Sequence, residues 1–290
     1  MDKNKLLKQL DEKGYCEIPF PLKQEILNEI KKISKQGLSK PMINGQMGYV
    51  SFSGYKYLFQ TLSWSKHIID FLTHPGLIEV IEEFTEDKVH ISNYRIYSSN
   101  SSKSKKMGWH TDNKIDFYDE DGNFITKTIK EDKGIILISY LSDVIDGGTQ
   151  IIEGSHKWAG DKEYWSSDEV ESKYKDKIIT FNNRKAGTTI IYDYRCVHRA
   201  KPYENKLKED RISAFCQYSR SSLPVGEPIL LPTEFVDELT SEQKRLLNFN
   251  KKPSTLNWPI GGPWELYKRE WFFKKRKDDI KQFIKKILNW

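Results

Sequence analysis

The sequence predicts a mainly β protein with flanking helices, and three observations carry that expectation. From Lys88 to Ser222, runs of β-branched and aromatic residues alternate with polar loops. On both sides of this stretch the apolar residues fall instead at helical spacing. Finally, 290 residues with 37% hydrophobic and 13% aromatic side chains supply enough apolar surface for a large core, which excludes a chain disordered throughout.

Residues 1–87 read as a mostly helical scaffold. A short helix is expected over Lys5–Glu12, a strand over Tyr15–Ile18 opened by Gly14, and a second helix over Leu22–Ser34. Two more are expected at Ser65–Leu72 and Pro75–Phe84, where Ile68, Ile69 and Leu72 recur at helical spacing. Within 88–222 the strand candidates are Val89–Tyr97, Gly134–Leu141, Ile178–Phe181, Thr188–Tyr192 and Ile212–Tyr218. The connections Asp116–Lys133 and Trp158–Lys177 are charged and suit exposed lids or hairpins. Short strands joined by long loops suggest a jelly roll or a related double-sheet barrel, whose mouth is a natural ligand site. Residues 223–290 return to helix. Thr240 and Gln243 form a capping box ahead of Lys244–Leu247, and Ile280, Phe283, Ile284, Ile287 and Leu288 make an amphipathic stripe. The whole of 1–290 is expected to form a single catalytic domain.

Several function classes are excluded by composition. The first residues are charged, without the apolar stretch of a secretory signal, and no apolar run reaches the roughly 18 to 20 residues of a transmembrane helix. A cytoplasmic protein is expected. Cys16, Cys196 and Cys216 are odd in number and widely spaced, which argues against a disulfide framework or a cysteine zinc site. The net charge of +6 is concentrated in Trp264–Trp290, which carries nine Lys/Arg against four Asp/Glu, so no broad nucleic-acid surface is supported.

Chemistry enters at Gly108-Trp109-His110-Thr111-Asp112-Asn113. In an extended segment the side chains at i and i+2 share a face, so His110 and Asp112 can converge on one ion. Two histidines and one carboxylate leave adjacent coordination positions open, the arrangement of non-haem iron(II) oxygenases, in which a 2-oxo acid and dioxygen take those positions. Taken alone, the pair is a chance-prone match. His67, His74 and His90 lie in the scaffold or before the His110 and Asp112 pair, whereas His198 follows a predicted strand that can bring it beside His110. Downstream, Arg211 and Ser213 open another strand on one face. A guanidinium and a hydroxyl there suit the distal carboxylate of 2-oxoglutarate.

At this point the sequence resembles the phytanoyl-CoA dioxygenase family of iron and 2-oxoglutarate oxygenases. The matching pieces, in order, are Trp109-His110-Thr111-Asp112, Gly147-Gly148-Thr149-Gln150 through Gly154-Ser155-His156, Val197-His198-Arg199 and Arg211-Ile212-Ser213. The resemblance covers roughly residues 88–220. It implies a double-stranded β-helix (cupin-like) core, with His110, Asp112 and His198 as ligands of iron(II). It also implies Arg211, Ser213 and Thr149 around 2-oxoglutarate, dioxygen as oxidant, and hydroxylation of a small molecule with release of succinate and carbon dioxide. His156 belongs to the family's turn and is implied not to be a ligand. Two departures are Glu153, where many members have proline, and the stretch Asn205–Glu209, which lengthens the spacing from His198 to Arg211.

For the substrate, the sequence leaves alternatives open. Tyr94, Arg95, Tyr97, Asn113 and Tyr192 are candidates either for the pocket wall or for barrel packing, and Lys103–Lys106 admits an anionic substrate or a solvated loop. The basic tail 264–290 suits a terminal helix packed on the barrel, with contact to an anionic membrane surface as a weaker reading. Two rivals stand against the oxygenase: a non-catalytic metal-containing jelly-roll module, and a cupin-like metal isomerase or hydrolase. Neither needs the second carboxylate anchor that Arg211 and Ser213 provide.

Overall fold

Helix α1 (Lys3–Lys13) begins where the Asp2 carboxylate accepts the Lys5 N–H at 3.2 Å, and it ends at Gly14. Gly14 has φ of 85° and its Cα faces Cys196 Sγ and His156 Nδ1, each 2.5 Å from where a Cβ would stand. Only glycine serves there. The chain turns directly into β1 (Tyr15–Ile18), then α2 (Gln24–Leu38), a hairpin of β2 (Val50–Phe52) and β3 (Tyr55–Leu58), and helices α3 (Lys66–Leu72) and α4 (Pro75–Thr85). In this computed structural model the described residues are 2–42, 48–104, 107–118, 124–128, 132–160, 162, 164–223, 229–249 and 251.

Strands then dominate. β4 (Val89–Ser99) is followed by β5 (Trp109–His110), β6 (Lys114–Tyr118), β7 (Phe124–Thr128), β8 (Ile135–Tyr140), β9 (Thr149–Ile152) and β10 (Tyr164–Trp165). After α5 (Ser167–Lys173) come β11 (Ile178–Thr180), β12 (Thr189–Asp193), β13 (His198–Ala200) and β14 (Arg211–Arg220), and then α6 (Thr233–Glu238) and α7 (Ser241–Leu246). The Thr240 and Gln243 capping box forms as expected at the start of α7. The amphipathic stripe at 280–288 and the basic tail lie outside the described residues.

The strands make a seven-stranded sheet in the order β1-β12-β8-β14-β4-β3-β2 and a five-stranded sheet in the order β10-β5-β13-β9-β11, with β6 and β7 paired separately. Every strand pairing is antiparallel. This is the expected double-sheet jelly roll. The alternation of each strand sorts its residues between two environments. On the large sheet Leu137, Ile191, Ala214 and Cys216 face outward into one apolar cluster with Leu10, Ile30, Ile69 and Ile81 of the helices. Ile136, Ile138, Tyr192 and Phe215 face inward, toward Ile151 of the small sheet. A third cluster, Trp109, Ile152, Val170 and Val197, seals the outer side of the small sheet.

Predicted and observed elements differ where packing overrides local pattern. Helix α2 runs four residues beyond Ser34, through Gly37, because the missing side chain admits the Trp64 ring 2.7 Å from where a Cβ would lie. β5, β10 and β13 have two or three residues each, too few for an alternation to register. No helix among the described residues is long and apolar enough to cross a membrane.

Candidate metal centre and co-substrate pocket

The small sheet fixes the two histidines by register. His198 on β13 lies opposite His110 of β5 on one side and Ile151 of β9 on the other. Two residues further along the same face, Ala200 lies opposite Thr149. Asp112 stands just past β5, and its backbone N–H donates to the Tyr194 carbonyl at 2.9 Å, which holds the segment at the correct height. Ligand atoms of His110, Asp112 and His198 all lie within 4.8 Å of one another, and among the described residues they form the one such cluster. His110 Nε2 is 3.7 Å from Asp112 Oδ1, and His198 Nε2 is 3.3 Å from Oδ2.

The ring tautomers follow from the backbone. His110 Nδ1 is 2.9 Å from the Gly108 carbonyl and His198 Nδ1 is 3.0 Å from the Cys196 carbonyl. A carbonyl only accepts, so each Nδ1 carries the proton and each Nε2 turns its lone pair toward the shared space. Burial, and then the charge of His198, push the His110 imidazole below its ordinary pKa, which favours this neutral form. Burial opposes the charge of Asp112, but the adjacent His198 and His110 rings and the Arg95 guanidinium hold its carboxyl below the usual range. Both Nε2 atoms and the Asp112 carboxylate are thereby aimed at one shared space.

A second polar group faces the trio from the large sheet. Arg211 and Ser213 open β14 on its inward face, 3% and 0% exposed. One Arg211 terminal nitrogen donates to the Gly147 carbonyl, while its Nε and the Ser213 hydroxyl are buried without a hydrogen-bond partner among the described residues. Unsatisfied buried groups of this kind cost roughly 1–3 kcal/mol each unless a ligand meets them. Ser213 lies opposite Tyr140, and Tyr140 ties this end to the small sheet. Its hydroxyl oxygen accepts the Thr149 N–H at 2.9 Å and its proton goes to Thr149 Oγ1 at 3.0 Å. The Thr149 hydroxyl proton is thereby left free to donate onward.

Two residues that sequence reading missed hold this end together. Asp146, 3% exposed, accepts the backbone N–H groups of Gly147, Glu204 and Asn205 and the Lys201 ammonium. These contacts outweigh its burial and hold its carboxyl below the usual range. It anchors the long connection between His198 and Arg211 to the turn carrying Gly147. The available signal was an acidic residue placed directly before Gly147-Gly148. Tyr140, the other, was hidden in an apolar run.

The remaining candidates sort cleanly. Arg95, Tyr97 and Tyr192 line the cleft with the trio. Tyr94 packs on the helical side, and Asn113 is buried and accepts the Thr111 hydroxyl at 2.8 Å. His156 contacts the Asp11 carbonyl at 3.1 Å, away from the trio, and His67 pairs with Glu29 at the surface. Glu153, in place of proline, accepts the Tyr15 hydroxyl at 3.0 Å.

No family model and no curated protein matches this chain. Solved structures do match. The epimerase SnoN, in complex with Fe3+, alpha ketoglutarate and nogalamycin RO, aligns at TM-score 0.58 and 17% identity over 82% of this chain and 90% of its own. HygX from Streptomyces hygroscopicus, with nickel, 2-oxoglutarate and hygromycin B bound, aligns at 0.55 and 13% over 77% and 89%. EctD from S. alaskensis with bound Fe aligns at 0.56 and 17% over 78% and 79%. At such identities the likeness establishes the jelly-roll fold.

Proposed function

We propose that this chain is an iron(II)- and 2-oxoglutarate-dependent dioxygenase of the phytanoyl-CoA dioxygenase type that hydroxylates a C–H bond of a small molecule. One observation carries the reading: a histidine–aspartate–histidine cluster faces a buried Arg211 Nε and Ser213 hydroxyl that lack hydrogen-bond partners among the described residues. The fit to both groups is chemical. Two imidazole nitrogens and a carboxylate are the donor set of a facial triad. The Arg211 Nε and the Ser213 hydroxyl supply donors that a buried carboxylate needs, and the free Thr149 proton supplies one more to the same molecule. That three structural neighbours bind iron, nickel or 2-oxoglutarate agrees with this fit.

In the working site His110, Asp112 and His198 would hold the metal, which supplies oxidative decarboxylation of the 2-oxo acid and the oxidant for the substrate. The protein's own part is positioning. Arg211 and Ser213 fix the distal carboxylate, Thr149 steadies the body of the co-substrate, and Tyr140 fixes Thr149. Asp112 would supply the carboxylate ligand that a halogenating site lacks, which favours hydroxylation over halogen transfer. Inward-facing Ile138 and Phe215 keep the floor apolar.

Buried, unpaired Cys16, Cys196 and Cys216 suit a cytoplasmic setting. The test is succinate release with iron(II), ascorbate and 2-oxoglutarate, followed by product analysis on candidate substrates. No 2-oxoglutarate-dependent succinate would overturn the reading. Epimerised or cyclised product in place of alcohol would keep the enzyme class and remove hydroxylation.

A further inference from the structure

Arg95 on β4 faces inward opposite Phe215 of β14, and its guanidinium carbon stands 3.9 Å from the centre of that ring. Contact with an aromatic face occupies none of the guanidinium N–H groups, which lie in its plane and remain free to donate. Half-buried in the cleft wall, Arg95 has no hydrogen bond and no ion pair with any described residue. The other cations nearby are committed. Arg211 donates to the Gly147 carbonyl, and Arg199 donates to Gln150 at 2.8 Å and Ser167 at 3.2 Å with Trp109 beneath it.

Charge balance gives this free guanidinium a meaning, and here the inference rests on the function proposed above. Asp112 is the only carboxylate among the described residues lining the cleft. With a divalent cation and dianionic 2-oxoglutarate in place, Asp112 and Arg211 bring the loaded site to neutrality. Arg95 and Arg199 are then both surplus positive charges at the cleft, but the Arg199 N–H groups are engaged by Gln150 and Ser167, whereas those of Arg95 meet no acceptor among the described residues, a costly state in a confined place. Beside it Tyr57 and Tyr97, ring centres 6.0 Å apart, form an aromatic wall suited to a flat or apolar body.

We propose that Arg95 is the substrate-specificity residue of this site, docking an acidic group, carboxylate or phosphate, of a primary substrate whose apolar body lies on the Tyr57 and Tyr97 wall. The fork binds two oxygens of the anion in its plane, and the reacting carbon is carried toward the metal trio.

The test uses the full chain loaded with nickel(II) and 2-oxoglutarate, so that no turnover intervenes. Phenylacetate and phenyl phosphate are titrated calorimetrically against neutral phenylacetamide, with wild type, Arg95→Gln and Arg95→Lys. Wild type should prefer the anions by roughly 10- to 100-fold, as expected for a charge-assisted pair. Arg95→Gln should erase that preference, Arg95→Lys should retain part of it, and both should bind 2-oxoglutarate within about twofold of wild type. Equal binding of anion and amide by wild type would overturn the assignment, as would a preference surviving in Arg95→Gln. So would a loss of 2-oxoglutarate affinity in Arg95→Gln matching the loss for the anions, since Arg95 would then serve the co-substrate. Should Arg95→Gln not fold, Arg95→Lys decides: unchanged anion preference there, or weakened 2-oxoglutarate binding, overturns the proposal. Failure of the oxygenase reading is seen separately, as wild type that binds no 2-oxoglutarate with nickel.

Discussion

The two faces of the seven-stranded sheet are made from the same strands and do opposite work. Along β14, Ile212, Ala214 and Cys216 join the helices, while Arg211, Ser213 and Phe215 face the other sheet. The outer face is apolar and closed by α1 to α4. Its inner counterpart carries a buried guanidinium, a hydroxyl without a partner and a ring of tyrosines. The lesson is a division of labour by residue parity: stability is concentrated on one face, so the other tolerates polar groups that cost free energy until a ligand meets them.

That comparison breaks if substitutions on the two faces have similar effects. The largest expected effect is at the metal trio opposite the inner face. Asp112→Ala should abolish iron binding and 2-oxoglutarate-dependent succinate formation, with a thermal midpoint close to wild type; retained turnover removes Asp112 from the ligand set. Next, Leu137→Ala on the outer face, fully buried, should cost about 2–5 kcal/mol in denaturant unfolding while leaving the 2-oxoglutarate dissociation constant of folded protein unchanged.

Arg211→Ala should weaken 2-oxoglutarate roughly 10- to 100-fold by calorimetry, and unfolding should change less than for Leu137→Ala. Thr149→Val should cost only about 1 kcal/mol, near fivefold in the same affinity, because one donor is lost. The smallest effect sharpens the outer face. Burial lifts the Cys16 thiol to about 12, so it should stay protonated and resist iodoacetamide at pH 8 in native protein. The sign for stability is fixed: the contribution is constant below the unfolded thiol pKa of about 8.5, and stability falls as pH rises above it toward 12.

Long elements were legible in the sequence because their periods repeat. Val89–Ser99, Ile135–Tyr140 and Thr189–Asp193 lie within two residues of expectation, and β1 matches at both ends. The site was legible through a different signal, the i and i+2 pairs His110 with Asp112 and Arg211 with Ser213, which strand geometry places on one face. What stayed hidden depends on distant partners. The β2–β3 hairpin pairs with β4 through Tyr57 and Tyr97, and nothing local marks that contact. Neither did local pattern separate Arg95 from packing, since its status follows from which neighbours lack a charge. Asp146 is a further case: its partners Lys201, Glu204 and Asn205 are more than fifty positions away.

The bond from the Asp112 N–H to the Tyr194 carbonyl joins the segment that carries His110 and Asp112 to the one that leads into His198. The contact is backbone to backbone and uses none of the trio's side chains. An ion leaving this site would leave its template behind, so reloading should be rapid and need no refolding. Occupancy would then follow the free concentrations of competing metals and their intrinsic ranking, in which cobalt and nickel exceed iron. On the function proposed above, iron loading would thus depend on metal supply in the cell, a selection made outside the protein.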